Sequence, residues 1–299
     1  MSSSSAGPTS PPPGPWEIAL ASARGKAHEV RDLDNQDAGR WCADARAIVL
    51  AIADGHGHER HFRSGRGADL AVGAACEVAL PLGARIADEG DQPAVEALGR
   101  YELIPALLAS WAAAVEADTA SHPFGPAEDG LAGHYGDPPV MAYGSTLLVA
   151  LVAGRWALLA QIGDGDIMTV DPTGTTRSPL PVDPVLDGVR TTSLCQPDAE
   201  AAFRLAVVDL LATPMTVLLL ASDGYGNAQV DDIWQPAVGA DLLALLRAHG
   251  AGWIRRNLPD WVARCASAEG AADDTTVALL LAAAPHGPCL LYTSDAADE

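Results

Sequence analysis

Hydrophobic and polar positions along the chain alternate between short apolar runs and acids that terminate them. Residues 47–52 form an apolar, β-branched run that stops at Asp54-Gly55, the pattern of a buried strand meeting a turn. Residues 145–153 and 156–162 are two more such runs around Gly154-Arg155, which predicts a hairpin. Residues 217–221 again end at Asp223-Gly224, and 275–281 are introduced by Asp273-Asp274. Between these runs the spacing lengthens. Residues 67–80 predict a helix, weakened by Gly73. Leu103, Leu107, Trp111 and Val115 mark one face of another, with Pro105 tolerable only in a first turn or at a break. Residues 241–248 and 260–268 predict two more helices, the second with Pro259 at its start, and the Gly-, Pro- and Asp-rich stretch 122–139 predicts a loop.

Strands and helices are thus interspersed, without internal repeats and without the regular alternation of a parallel sheet. An α+β or layered sandwich in one domain follows. The 299 residues, 48% of them hydrophobic, suffice for a large core. Residues 1–15, mostly Ser, Pro and Gly, predict a disordered tail, and 16–285 the domain. Residues 286–299 resemble the translation of a sequencing-library adapter and are expected to be non-native, so they are set aside.

Charge narrows the function classes. Thirty-nine acids against 18 basic residues give a net charge of −21, which argues against nucleic acid or an anionic membrane as partner. The five cysteines (Cys42, Cys76, Cys195, Cys265, Cys289) have no CxxC spacing, which argues against a zinc ribbon or a dense disulfide framework. The longest apolar run is broken by Gly154-Arg155, and the N-terminus lacks the basic start and apolar core of a secretion signal. The expected setting is the cytoplasm, with no membrane.

Acids recur at the ends of the predicted strands: Asp37, Asp54, Asp164, Asp223 and Asp273. One Asp-Gly after a strand is ordinarily just a turn. Several carboxylates gathered at one sheet rim repel one another unless a cation neutralises them, and oxygen donors without His or Cys select Mg²⁺ or Mn²⁺. Five motifs in order extend the argument: Asn35-Gln-Asp-Ala38, Ala53-Asp-Gly-His-Gly57, Gly144-Ser-Thr146 leading to Gly163-Asp164, Ala221-Ser-Asp-Gly224, and Asp273-Asp-Thr-Thr276. Together they resemble the type 2C metal-dependent protein serine/threonine phosphatases, over about residues 16–283.

That resemblance implies a layered α-β-β-α sandwich of two antiparallel sheets flanked by helices, with a site for two Mn²⁺ or Mg²⁺ ions at one edge. It implies Asp54 bridging the ions, the Gly55 carbonyl, Asp223 and Asp273 as further ligands, and Gln36 standing where the usual member has Glu. It implies Asp37 holding, by a hydrogen bond, a water bound to the ions, and His56 as the general acid toward the leaving serine or threonine oxygen. The family's phosphate-binding Arg falls at Asp32 here, so Arg31 and Arg24 become its candidates. His28 joins them, matching a bacterial branch with an upstream His and Gln-Asp in the first motif. Asp164 is placed for a third ion, but its usual partner acid is Asn227. The expected partner is a phosphorylated protein, a Ser/Thr kinase or its target. Gln36 and the displaced Arg keep a second reading open, a catalytically weak sensor or scaffold, and a third is a small-molecule phosphatase whose substrate is set near residues 181–202.

Overall fold

The computed structural model describes residues 16–183, 185, 191–230 and 233–283. The two tails set apart above, 1–15 and 286–299, lie outside the described residues, as does part of the 181–202 loop. The strands are β1 (Trp16–Ala23), β2 (Ala38–Ala43), β3 (Ala47–Ala53), β4 (Leu147–Ala153), β5 (Trp156–Ile162), β6 (Asp166–Val170), β7 (Thr176–Arg177), β8 (Arg204–Asp209), β9 (Val217–Ala221) and β10 (Thr275–Ala282). The helices are α1 (Lys26–Arg31), α2 (Ser64–Asp88), α3 (Gln92–Leu98), α4 (Ile104–Ser121), α5 (Pro126–Tyr135), α6 (Ala199–Ala202), α7 (Asp223–Asn227), α8 (Gln235–His249) and α9 (Ala251–Cys265).

Two five-stranded antiparallel sheets result, ordered β1-β10-β9-β6-β7 and β2-β3-β4-β5-β8. Along β3 the side chains alternate between faces, as the pleat requires. Ile48, Leu50 and Ile52 pack between the sheets with Leu148, Leu218, Leu220 and Leu280. Ala47, Val49, Ala51 and Ala53 belong to the opposite layer, with α2 and α4. Burial on both faces removes any need for polar alternation, so β3, β4, β5 and β9 read as unbroken apolar runs. Each fully buried leucine here, such as Leu50, Leu220 or Leu280, contributes about 1.5–3 kcal/mol. Helices α8 and α9 cover the outer face of the first sheet against Val217, Leu219, Val277 and Leu279.

Helix α2 reaches the second sheet through small residues. A Cβ on Gly67 would lie 1.9 Å from the Tyr143 carbonyl oxygen, and one on Gly83 would lie 2.2 Å from Ala47 Cβ. By length and composition alone, Ser64–Asp88 and Gln92–Ser121 are long and apolar enough to cross a membrane. In the fold their apolar sides, including Ala71, Ala75, Leu107 and Trp111, are buried in the layer over β3 and β4.

Several elements depart from the sequence expectations. Residues 122–139 do not form a loop throughout: Pro126 opens α5, the Glu128 carboxylate accepts from Gly125 N at 2.9 Å, and Gly136 at φ 67° closes it. Local capping outweighs the loop-like composition. Pro259 lies inside α9 rather than at its start, and α2 runs through Pro81 to Asp88. Pro105 does sit in the first turn of α4, directly after a π-helical turn at Gly99–Leu103.

Antiparallel order brings strand ends and starts to a common rim. At one end of the sandwich β3, β5 and β9 finish while β2, β4, β6 and β10 begin, with Asp166 opposite Ala221 and Ala221 opposite Val277. The acids noted in the sequence all lie at this end.

Candidate active site

The pocket at that rim has a volume of about 220 Å³, and Gln36, Asp54, Gly55, His56, Asp164, Asp223 and Asp273 all line it. His28, Arg31, Thr146, Thr191 and Asp274 complete much of its wall. Arg24 does not line it; its guanidinium donates to the His28 carbonyl at 3.3 Å. A broader groove of about 810 Å³, lined by Leu33, Asp34, Phe62, Arg63 and Arg66 among others, adjoins the pocket and shares Gln36 with it.

Backbone contacts hold the segments together. Gly55 N donates to the Gln36 carbonyl at 3.1 Å, Asp54 N to Thr146 Oγ1 at 3.0 Å, and Thr146 N to the Asp54 carbonyl at 2.8 Å. Close approach is part of the design: a Cβ on Gly55 would come within 2.8 Å of the Gln36 carbonyl oxygen, and one on Gly224 within 2.1 Å of the Asp274 carbonyl oxygen. Ser222, buried at the end of β9, joins the two sheets, donating from Oγ to Asp37 Oδ2 at 2.7 Å while Oγ accepts from Thr276 N at 2.9 Å.

The electrostatics follow from crowding. Burial, then the charges of Asp37 and Asp223, push the Asp54 carboxyl well above its ordinary range, and Asp54 and Asp223 share a hydrogen bond. Burial, with Asp164 and Asp273 nearby, also raises Asp223. Asp37 is pushed up to about 7, chiefly by burial against the opposing hydrogen bond from Ser222. Asp166 is raised by burial too. His56 moves the other way, down to about 4, because its half-buried ring is desolvated and sits 5.0 Å from the His61 ring. It is therefore a neutral imidazole at pH 7.

These donors fit hard divalent cations. Gln36 Oε1 and Asp37 Oδ1 are buried oxygens without a hydrogen-bond partner, and such acceptors are costly unless something positive meets them. Among the described residues no three His, Cys, Asp or Glu side chains form a closed metal-holding cluster. Mg²⁺ and Mn²⁺ sites need few protein ligands, because much of their coordination is water.

The sequence matches the family description "Protein phosphatase 2C" over residues 24–263. The chain belongs to the protein phosphatase 2C family. Solved structures agree on the fold. PppA, described as a key regulatory component of T6SS in Pseudomonas aeruginosa, is 18% identical, covering 90% of this chain and 98% of its own, with a TM-score of 0.54. A bacterial serine phosphatase is 16% identical over 91% of this chain and 99% of its own, at 0.55. The catalytic domain of the serine/threonine protein phosphatase PstP, solved with two manganese ions, is 18% identical over 89% and 97%, at 0.51. No curated protein matches the sequence.

On sequence alone no role was given to Ser222, the tie to Asp37, or to Asp274, which is 3% exposed and hydrogen-bonded on both oxygens. Its position after an acid already read as a ligand was the available signal. Asn227 donates to Asp223 Oδ2 at 3.1 Å, so an amide stands beside Asp223 where a third cation would call for an acid.

Proposed function

We propose that this 2C-family protein hydrolyses phosphoserine and phosphothreonine esters on proteins, using two Mn²⁺ or Mg²⁺ ions. Asp54, the Gly55 carbonyl, Asp223, Asp273 and Gln36 would hold them. The observation that carries the reading is the gathering of these donors in one pocket, where burial and mutual crowding raise the Asp54 and Asp223 carboxyls. Bound there, the ions supply Lewis acidity toward the phosphoryl oxygens and lower the pKa of the attacking water.

The protein's own groups do the rest. Ser222 anchors one oxygen of Asp37, leaving Oδ1 to accept a hydrogen bond from the attacking water and orient it. As the water oxygen bonds to phosphorus, the bond to the serine or threonine oxygen breaks, and His56 protonates that oxygen. The ring is neutral in the free protein, so it acts as an acid only once a dianionic phosphate beside it raises its pKa. Arg31, exposed at the pocket wall with its Nε donating to the Ala27 carbonyl at 3.1 Å, would be the cation that receives the phosphate; Arg24 lies outside the pocket lining and His28 is bonded to Asp274. Asp164 faces the same pocket, but with Asn227 in place of a second acid a third ion would lack one of its carboxylates. The substrate is a phosphorylated protein in the cytoplasm, a kinase or a kinase target.

The test is release of phosphate from a phosphothreonine peptide and from p-nitrophenyl phosphate with Mn²⁺. EDTA abolishes both activities. Asp54→Asn and Asp223→Asn lower turnover by about 10²–10³-fold, the several kcal/mol expected of lost metal catalysis. Retained turnover in either variant sinks the proposal. Neutral Gln36 favours the alternative of a binding module without turnover, which would bind the phosphopeptide in the same experiment and release nothing.

A further inference from the structure

Gln36 is a neutral amide at a position suited to a carboxylate, so its pull on a cation is weak and its placement matters more. Its peptide is pinned at both ends. The carbonyl accepts from Gly55 N at 3.1 Å, and the N–H donates to Asp274 Oδ2 at 2.6 Å. The same Oδ2 meets His28 Nδ1 at 2.7 Å, and Oδ1 accepts from Gly25 N at 2.6 Å. One carboxylate thus ties together residues 25, 28 and 36, all about 240 or more positions away in sequence. It is sealed from water, with Asp274 3% and His28 5% exposed. Facing a carboxylate, His28 Nδ1 is the protonated nitrogen, which fixes the ring's tautomer. The joint is tight as well: a Cβ on Gly25 would lie 2.3 Å from the Asp273 carbonyl carbon.

We propose that Asp274 and His28 are positioning residues that hold Gln36 as a ligand of the second cation. They set the main chain from which the otherwise unpartnered Gln36 Oε1 is presented. The assignment rests on the two-cation reading above. The fixed geometry at the carboxylate would also keep Gln36 in register with Asp273, one residue from Asp274, so that donors from both sheets stay aligned.

Calorimetric titration of the full chain with Mn²⁺ tests this, with thermal melting to verify folding. In Asp274→Asn the amide cannot accept on both sides, so the Gly25 or the Gln36 N–H faces an NH₂ group. His28→Leu removes a donor, whereas His28→Asn restores an N–H near the place of Nδ1. The expected result is that one of two ions binds about 10–100-fold more weakly in Asp274→Asn and His28→Leu, the size typical of lost supporting hydrogen bonds. The other ion keeps its wild-type affinity, and His28→Asn recovers most of the loss. Folded Asp274→Asn and His28→Leu proteins that bind both ions normally overturn the proposal, as does His28→Asn behaving like His28→Leu. If Asp274→Asn fails to fold, the two His28 variants decide. Absence of any Mn²⁺ binding by the wild type, with Asp54→Asn indistinguishable from it, overturns the two-cation reading itself.

Discussion

Replacing Asp37 by Asn should stabilise the metal-free protein at alkaline pH. The Asp37 carboxyl moves from 3.8 to about 7, mainly through burial. Below about pH 4 it is protonated in both folded and unfolded chains and costs nothing. Between about 4 and 7 the unfolded chain releases its proton while the folded one retains it, so each step up in pH favours unfolding. Above 7 the whole penalty stands. A shift of that size corresponds to about 4 kcal/mol. Asp54 and Asp223 share the crowding and ionise more readily once residue 37 is neutral, so a net gain of roughly half, about 2 kcal/mol, is expected, or some 4–8 °C in Tm. Thermal melts in EDTA from pH 4.5 to 8.5 measure it. The gap between Asp37→Asn and wild type should open as pH rises and nearly vanish at the acid end. Comparing two proteins of nearly equal charge cancels the general repulsion of a −21 chain. Excess Mn²⁺ should stabilise the wild type most at high pH, because the ions compete with the protons that the acids otherwise keep. A gap that does not change with pH would refute the reasoning.

Other consequences are equally open to measurement. His56→Gln should slow hydrolysis of a phosphothreonine peptide by about 10²-fold or more and of p-nitrophenyl phosphate far less, because nitrophenolate leaves without a proton; equal losses would count against an acid role. Arg31→Ala should raise KM for the peptide about tenfold with kcat little changed, while Arg24→Ala leaves KM alone, as steady-state kinetics will show. Gly67→Ala should cost about 3 kcal/mol or more in chemical denaturation, since the new methyl meets the Tyr143 carbonyl oxygen at 1.9 Å. Leu50→Ala should cost about 2–5 kcal/mol by the same measurement, leaving a cavity between the sheets.

The parts of the fold that were legible in sequence share one physical cause. β3, β4, β5, β9 and β10 are buried on both faces, so their apolar runs stand out, and at the pocket β3, β9 and β10 adjoin acids, β5 adjoins Gly163 and β4 adjoins Thr146. Edge strands such as β1 and β8 keep polar side chains, carry no such signal and were not anticipated. Helix α5 was hidden because Gly, Pro and Asp suggest a loop, whereas its start depends on Pro126 and on Glu128 reaching back to Gly125. Among site residues, the acids at strand ends were readable one by one. The hydrogen bonds of Asp274 to residues 25, 28 and 36 were not, since no local pattern encodes a partner some 240 positions away.

The pocket draws its donors from both layers of the sandwich: Asp54 follows a strand of one sheet, Asp223 and Asp273 flank strands of the other. Their spacing is therefore fixed by how the two sheets seat on each other, through the leucines and isoleucines sandwiched between them. A bulkier side chain at Leu220 or Ala278, far from any phosphate, would slide one layer over the other and stretch or compress the distances a cation must span. In this architecture greasy residues in the middle of the molecule act as the calibration of its ion chemistry.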